Sequence, residues 1–338
     1  MQRRRQRTGR VEISLGYACS NDCVFCSETR LRRQHSAEAT GGPVTTERIR
    51  QAMDRLRVDG GEHLTLLGGE PTIRKDFIGL LDYAKDIGFE RVSMTTNGRR
   101  FADPEFAREV ARRSILRITV SLHGPTAAIH DAITQRPGAY DEVITGLQNL
   151  HEAGMPVDLT AVICRQNQGQ LALLYDLHRS HNPGRMLWVF VRPVGEAYDR
   201  FEDIVPPMAD IAAELQPVLD RATKEAAPLL VGHMPLCMLP GNEGAADELY
   251  WHDDTAVVLR EIQKFLAAKD SGKGSYQVIF DHFKMKTKAC GGCRFVGVCA
   301  GLFKEYIERR GAFELRPVAG TAVKSFSELR LPYLLQRN

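Results

Sequence analysis

The chain has 338 residues, 43% of them hydrophobic and 26% charged, the balance of a soluble globular protein. A net charge of +3 gives no case for a nucleic-acid partner. No apolar run reaches the roughly 20 residues a membrane helix needs, and the charged start lacks the apolar stretch of a secretory signal. A cytoplasmic location is therefore expected. In that reducing setting the eight cysteines point to metal rather than to disulfides.

The chain opens with Arg3, Arg4, Arg5, Arg7 and Arg10, read as a basic, solvated tail over residues 1–10. Residues 11–15 form a strand, followed by a loop with Cys19, Cys23 and Cys26. Ile49, Met53 and Leu56 at helical spacing mark a helix over residues 46–58. A strand at 63–67 ends in Gly68-Gly69-Glu70-Pro71, and a helix through Phe77, Leu80, Leu81 and Ala84 stops at Gly88. A third strand over 92–95 is closed by Asn97-Gly98. A helix at 104–112 leads to a fourth strand at 116–122. Tyr140, Val143, Ile144, Leu147 and Leu150 make a helical stripe ended by Gly154. Strands at 157–163 and 186–191 flank a helix near 170–179.

Six strands separated by helices imply a parallel α/β sheet, either curled toward a barrel or doubly wound. In both architectures the ligand site lies at the C-terminal strand ends, where the cysteine loop, GGEP and TNG all fall. After about residue 200 the alternation fails. A helix at 208–226, a Pro-flanked loop with Cys237, a helix near 255–268, the group Cys290, Cys293 and Cys299, and a helical stretch at 302–310 suggest a smaller unit organised by metal. Cys164, at the end of an apolar run, reads as a buried hydrophobe.

Three thiolates within eight residues suit an iron–sulfur cluster that keeps one iron open to a small molecule, whereas structural zinc is closed by four ligands. The spacing alone leaves zinc possible. Taken singly, GGEP and Asn97-Gly98 are turns, Ser121 and His123 are strand residues, and Arg136 is a surface charge.

In order after a Cys-x3-Cys-x2-Cys loop, however, these motifs resemble the radical SAM superfamily over roughly residues 11–200. The resemblance implies a partial (β/α)6 TIM-like barrel and a [4Fe–4S] cluster on Cys19, Cys23 and Cys26. It also implies S-adenosylmethionine (SAM) held by Phe25, Gly68, Gly69, Glu70, Pro71, Thr96, Asn97, Ser121, His123, Arg136 and Val162, with Glu70 facing the SAM amino group. The fifth strand lacks the family's glycine-rich pattern. Cys290-x2-Cys293-x5-Cys299 resembles the SPASM or Twitch extensions of that superfamily. It implies a C-terminal domain over residues 201–338 with one auxiliary [4Fe–4S] cluster on those three cysteines and Cys237. If Cys237 is instead a free thiol, that cluster has an open iron.

The implied activity is reductive cleavage of SAM to a 5′-deoxyadenosyl radical, fed by a low-potential donor of flavodoxin or ferredoxin type. Tyr17, Glu28, Arg30, Asp131, Trp188 and Arg192 lie where strand ends would meet substrate. Only 18 residues precede Cys19, which favours a small biosynthetic intermediate over a ribosomally made peptide. A non-enzymatic iron–sulfur carrier or a zinc-stabilised binding module is the reading from another class.

Overall fold

The structure, a computed structural model, describes residues 9–29, 44–113, 115–250, 257–258 and 283–335. Among these, seven parallel strands run in sequence order across one curled sheet: β1 (Arg10–Ser14), β2 (His63–Leu67), β3 (Arg91–Thr96), β4 (Ile115–Ser121), β5 (Val157–Ile163), β6 (Met186–Phe190) and β7 (Leu229–Gly232). β8 (Val257–Val258) pairs in parallel with the outer edge of β1. The α/β half-barrel expected from the sequence is present, with a seventh strand the sequence reading missed. The helix expected near 255–268 is corrected at residues 257–258, which are extended because they extend the ladder of β1; the rest of that stretch lies outside the described residues.

Each helix has a local cause. In α1 (Thr46–Val58), the Thr45 hydroxyl accepts from the Arg48 amide at the start, while Arg55 and Arg57 face the negative end of the helix dipole. Its Ile49, Met53 and Leu56 are buried, each by roughly 1.5–3 kcal/mol of transfer. α2 (Phe77–Asp86) follows β2. α3 (Pro104–Ala111) begins with an Asp103 cap and proline at its first turn. α4 (Ala127–Thr134), α5 (Ala139–Glu152) and α6 (Leu171–Ser180) cover the outer face farther along. The short α7 (Glu196–Asp199) and α8 (Phe201–Ile204) precede α9 (Met208–Lys224).

The strands alternate in burial: β1, β2 and β6 each bury every second residue. The buried set faces the helices; the other set faces a lumen lined with Glu12, Thr65, Ser93, Thr119 and Thr160. Fully covered parallel sheets are apolar on both faces, so the alternation reflects a barrel left open and wet inside.

Two apolar clusters divide the outer layer. One holds Ile13, Leu66, Met94, Val120 and Leu159; the other holds Ala161, Trp188, Phe190 and Val231 together with Phe295, Phe303 and Tyr306. The C-terminal residues thus share the apolar core of β5–β7 rather than relying on metal alone. There the hairpin β9 (Lys284–Met285) and β10 (Leu302–Phe303) leads into α10 (Lys304–Arg310), so residues 302–303 are strand where helix was expected. The buried Tyr306 hydroxyl accepts from the Met208 amide at 2.8 Å and bonds Glu314, tying this unit to the start of α9.

Candidate functional site

The cysteine loop leaves the C-terminal end of β1 and is held from three sides. From the α4 side, the Asp22 and Val24 amides donate to the carbonyls of Thr134 and Ile133. From β3, Asn97 Nδ2 donates to Ser20 Oγ at 2.8 Å and Arg99 Nη1 to the Ser20 carbonyl at 2.6 Å and Asn21 Oδ1 at 3.0 Å. Arg99 also pairs with Glu142. From the loop after β6, Gly195 adopts φ +58°, and a Cβ there would stand 3.1 Å from the Ser27 Cα and carbonyl oxygen. Cys19, Cys23 and Cys26 form no disulfide and are all partly exposed, and Cys19 Sγ accepts from the Asn21 amide at 3.4 Å.

The loop after β2 lies directly behind. Gly68 and Gly69 take φ of +89° and +52°, and a Cβ on Gly69 would sit 2.2 Å from the Ala18 carbonyl oxygen. Only glycine permits so close an approach. The Glu70 amide donates to that same carbonyl at 2.7 Å. The Glu70 side chain is 2% exposed, with Oε1 accepting from the Thr72 amide and hydroxyl and from the Thr96 hydroxyl, and Oε2 from the Asn97 amide at 2.6 Å. Burial pushes its carboxyl up, and these donors pull it back. Against the expectation, the carboxylate faces inward as a brace between the ends of β2 and β3, because four protein donors already surround it.

The remaining expected cofactor contacts stand on neighbouring strand ends. Phe25 meets His123 edge-on, ring centroids 5.1 Å apart. The buried His123 accepts the Val162 amide on Nδ1 at 3.2 Å, which leaves its second nitrogen as the donor. Its own amide donates to His130 Nδ1 at 3.1 Å. Pro71, Thr96 and Asn97 are buried beside them, and Ser121 and Val162 are partly buried at the ends of β4 and β5. Arg136 stands exposed in the loop between α4 and α5.

The substrate expectations divide. Tyr17 and Glu28 are partly buried within the cysteine loop. Arg192 follows β6 with its guanidinium 3.7 Å from the centroid of the Phe283 ring. Trp188 is corrected: it is fully buried on the helix side of β6, its Nε1 donating to His178 Nδ1 at 3.2 Å. Asp131 is corrected too, because its two oxygens accept the Gly138 and Tyr140 amides at the start of α5. Arg30 lies outside the described residues. Arg99 escaped the sequence reading, since its partners in the cysteine loop are distant in sequence and a lone arginine after TNG carries no pattern.

In the C-terminal unit, Cys237, Cys290, Cys293 and Cys299 line one cavity of about 370 Å³, counted to its open mouth, with Phe295 and Leu315 in its walls. The Val318 amide donates to Cys293 Sγ and the Gly301 amide to Cys299 Sγ, both at 3.4 Å. Burial pushes the Cys299 thiol up to about 11 and raises that of Cys237. Among the described residues no three His, Cys, Asp or Glu side chains converge as ligands of one metal ion. Cys164 is fully buried, its thiol pushed up to about 12 by burial, as a core residue would be.

Residues 13–177 match the Radical SAM superfamily model. The mycofactocin maturase MftC of Mycobacterium tuberculosis is 33% identical over 195 residues, which are 57% of this chain and 47% of the relative. MftC of Mycolicibacterium smegmatis is 27% identical over 313 residues, 85% of this chain and 76% of the relative. A probable GTP 3',8-cyclase of Saccharolobus solfataricus is 30% identical over 186 residues, 55% of this chain and 58% of the relative. The chain spans about half the length of the first of these curated relatives. In fold, Streptococcus suis SuiB bound to S-adenosylmethionine superposes with a TM-score of 0.61 over 92% of this chain and 76% of its own, at 18% identity.

Proposed function

We propose, from the radical SAM domain matched at residues 13–177, that the chain is a radical SAM enzyme with two [4Fe–4S] clusters. The observation that carries this reading is the convergence of the cysteine loop, the 68–71 turn and Asn97 on one set of strand ends, joined through Ala18, Ser20 and Glu70. Cys19, Cys23 and Cys26 would hold the first cluster, which would bind SAM and supply the electron for reductive cleavage of its carbon–sulfur bond.

The chain's own residues do the positioning. The glycine backbone at 68–69 lets the SAM amino group approach, Phe25 and Val162 wall the adenine, and His123 offers a ring N–H donor. The Glu70 brace keeps these strand ends in register. Arg136 is free to reach the SAM carboxylate from its exposed loop.

The four-cysteine cavity supports an auxiliary cluster ligated by Cys237, Cys290, Cys293 and Cys299 in a Twitch-like unit. A zinc ion would draw its thiolates to about 2.3 Å, and a four-iron cluster keeps them farther apart around a cavity. With all four ligands from the chain, an auxiliary cluster there would carry electrons rather than anchor substrate. A flavodoxin or ferredoxin is the expected donor.

For the substrate, a ribosomally made peptide now stands level with a small biosynthetic intermediate. SuiB has also been solved with its precursor peptide SuiA, and that structure superposes over 92% of this chain with a TM-score of 0.61. The test is direct. Reconstituted without oxygen and reduced, the protein should release 5′-deoxyadenosine from SAM, with about eight irons per chain. No 5′-deoxyadenosine from iron-loaded protein would overturn the assignment.

A further inference from the structure

The lumen opens at the end opposite the cysteine loop into a cavity of about 1760 Å³, counted to its mouth. Arg10, Arg91, Arg117 and Arg185 stand in its wall against two carboxylates, Glu12 and Asp158. Asp158 is 1% exposed and serves two of the arginines at once, Arg117 at 2.8 Å and Arg185 at 3.4 Å. A single buried carboxylate thus holds two guanidinium groups in place. Farther in, Ser93, Thr119 and Thr160 present hydroxyls from three neighbouring strands. A closed barrel of this class fills its lumen with branched apolar side chains, so a hydroxyl-lined, arginine-rimmed lumen is built to hold polar matter.

His63, bonded to Ser93 at 2.8 Å in the same wall, registers the local field. Its pKa falls to about 4 through burial first and then through Arg10, Arg91 and Arg117. These arginines line one open-mouthed space.

We propose that this end of the lumen is an oxyanion site, taking a phosphate or carboxylate group on Arg91, Arg117 and Arg185. Guanidinium forks match both groups in two-point contacts. The ligand class follows: a substrate whose anionic end is held at the arginines while its neutral part extends up the hydroxyl-lined lumen. Naming the ligand as substrate rests on the radical SAM reading; the binding itself does not.

The test uses the full chain, reconstituted without oxygen, with inorganic phosphate and succinate as probes followed by calorimetry. Either anion should bind, more weakly at high salt. The preferred one tells a phosphate from a carboxylate substrate. The paired variant Arg91→Gln/Arg117→Gln should lose about tenfold to a hundredfold in affinity. Arg55→Gln, on the exposed face of α1, should bind as the parent does. If Arg117→Gln fails to fold, the exposed Arg91→Gln alone should still show weaker binding. No binding of either anion, or binding unchanged by these substitutions, overturns the site. 5′-Deoxyadenosine release measured on the same preparations separates the outcomes: release without anion binding removes only the site, and anion binding without release removes only the radical reading.

Discussion

Glu70 carries more of the local order than its place in a short turn suggests. Replacing it by Gln keeps the volume but turns one acceptor into an N–H group facing either the Thr donors or the Asn97 amide. One buried donor is then left unmatched, at about 1–3 kcal/mol. Glu70→Gln should therefore melt earlier and bind SAM more weakly, as thermal denaturation and ligand titration would record. A second expectation concerns acid. Burial lowers His130 and His178 from 6.5 to about 4 each. Their native pKa values lie below the unfolded one, so the unfolded chain takes up protons first as pH falls. Their stabilisation is whole above pH 6.5 and is lost progressively between 6.5 and about 4, by about 2 kcal/mol for each at pH 5. Urea unfolding at pH 7.5, 6 and 5 should show that decline. The place of the cysteine loop after β1 was legible because the strand before it is a local apolar pattern. Trp188 was misread because Met-Leu-Trp-Val-Phe is apolar at every position, so the parity that buries it on the helix side cannot be seen.

The strand-and-helix alternation through residue 190 was legible because each amphipathic stripe and each glycine stop is a local signal. β7 was missed because Leu229–Gly232 is four apolar residues, all buried, with no period to read. α4 was missed because its eight residues carry only a short apolar face, though its last turn holds the cysteine loop. The loops between elements make a sharper prediction. Gly69→Ala drives a Cβ into the Ala18 carbonyl oxygen at 2.2 Å, whereas Gly169→Ala has similar positive φ and open space around it. Both should bear backbone strain of about 1–3 kcal/mol. Only Gly69→Ala should displace the cysteine loop, dropping iron from about eight to about four per chain with the auxiliary cluster's spectroscopic signal retained.

Across the whole molecule, the division of the outer layer into two apolar clusters was not legible, because it depends on which strands the C-terminal residues pack against. The boundary runs through β5, where Leu159 belongs to one cluster and Ala161 to the other. If the proposed auxiliary cluster is present, Cys290→Ser/Cys293→Ser should remove it and leave about four irons. Amide exchange should then quicken in residues 284–335 and along β6 and β7, with β1–β4 holding their protection. If β1–β4 loosen equally, the two clusters form one cooperative unit. The seam within β5 also governs how a partly loaded preparation behaves on heating. Its calorimetric trace should resolve into two transitions, the one belonging to β5–β7 and the C-terminal unit moving with auxiliary iron occupancy while the other stays fixed. A single melting temperature for such a sample would average two regions of one chain, and the spacing between the peaks would follow metal content without any iron assay.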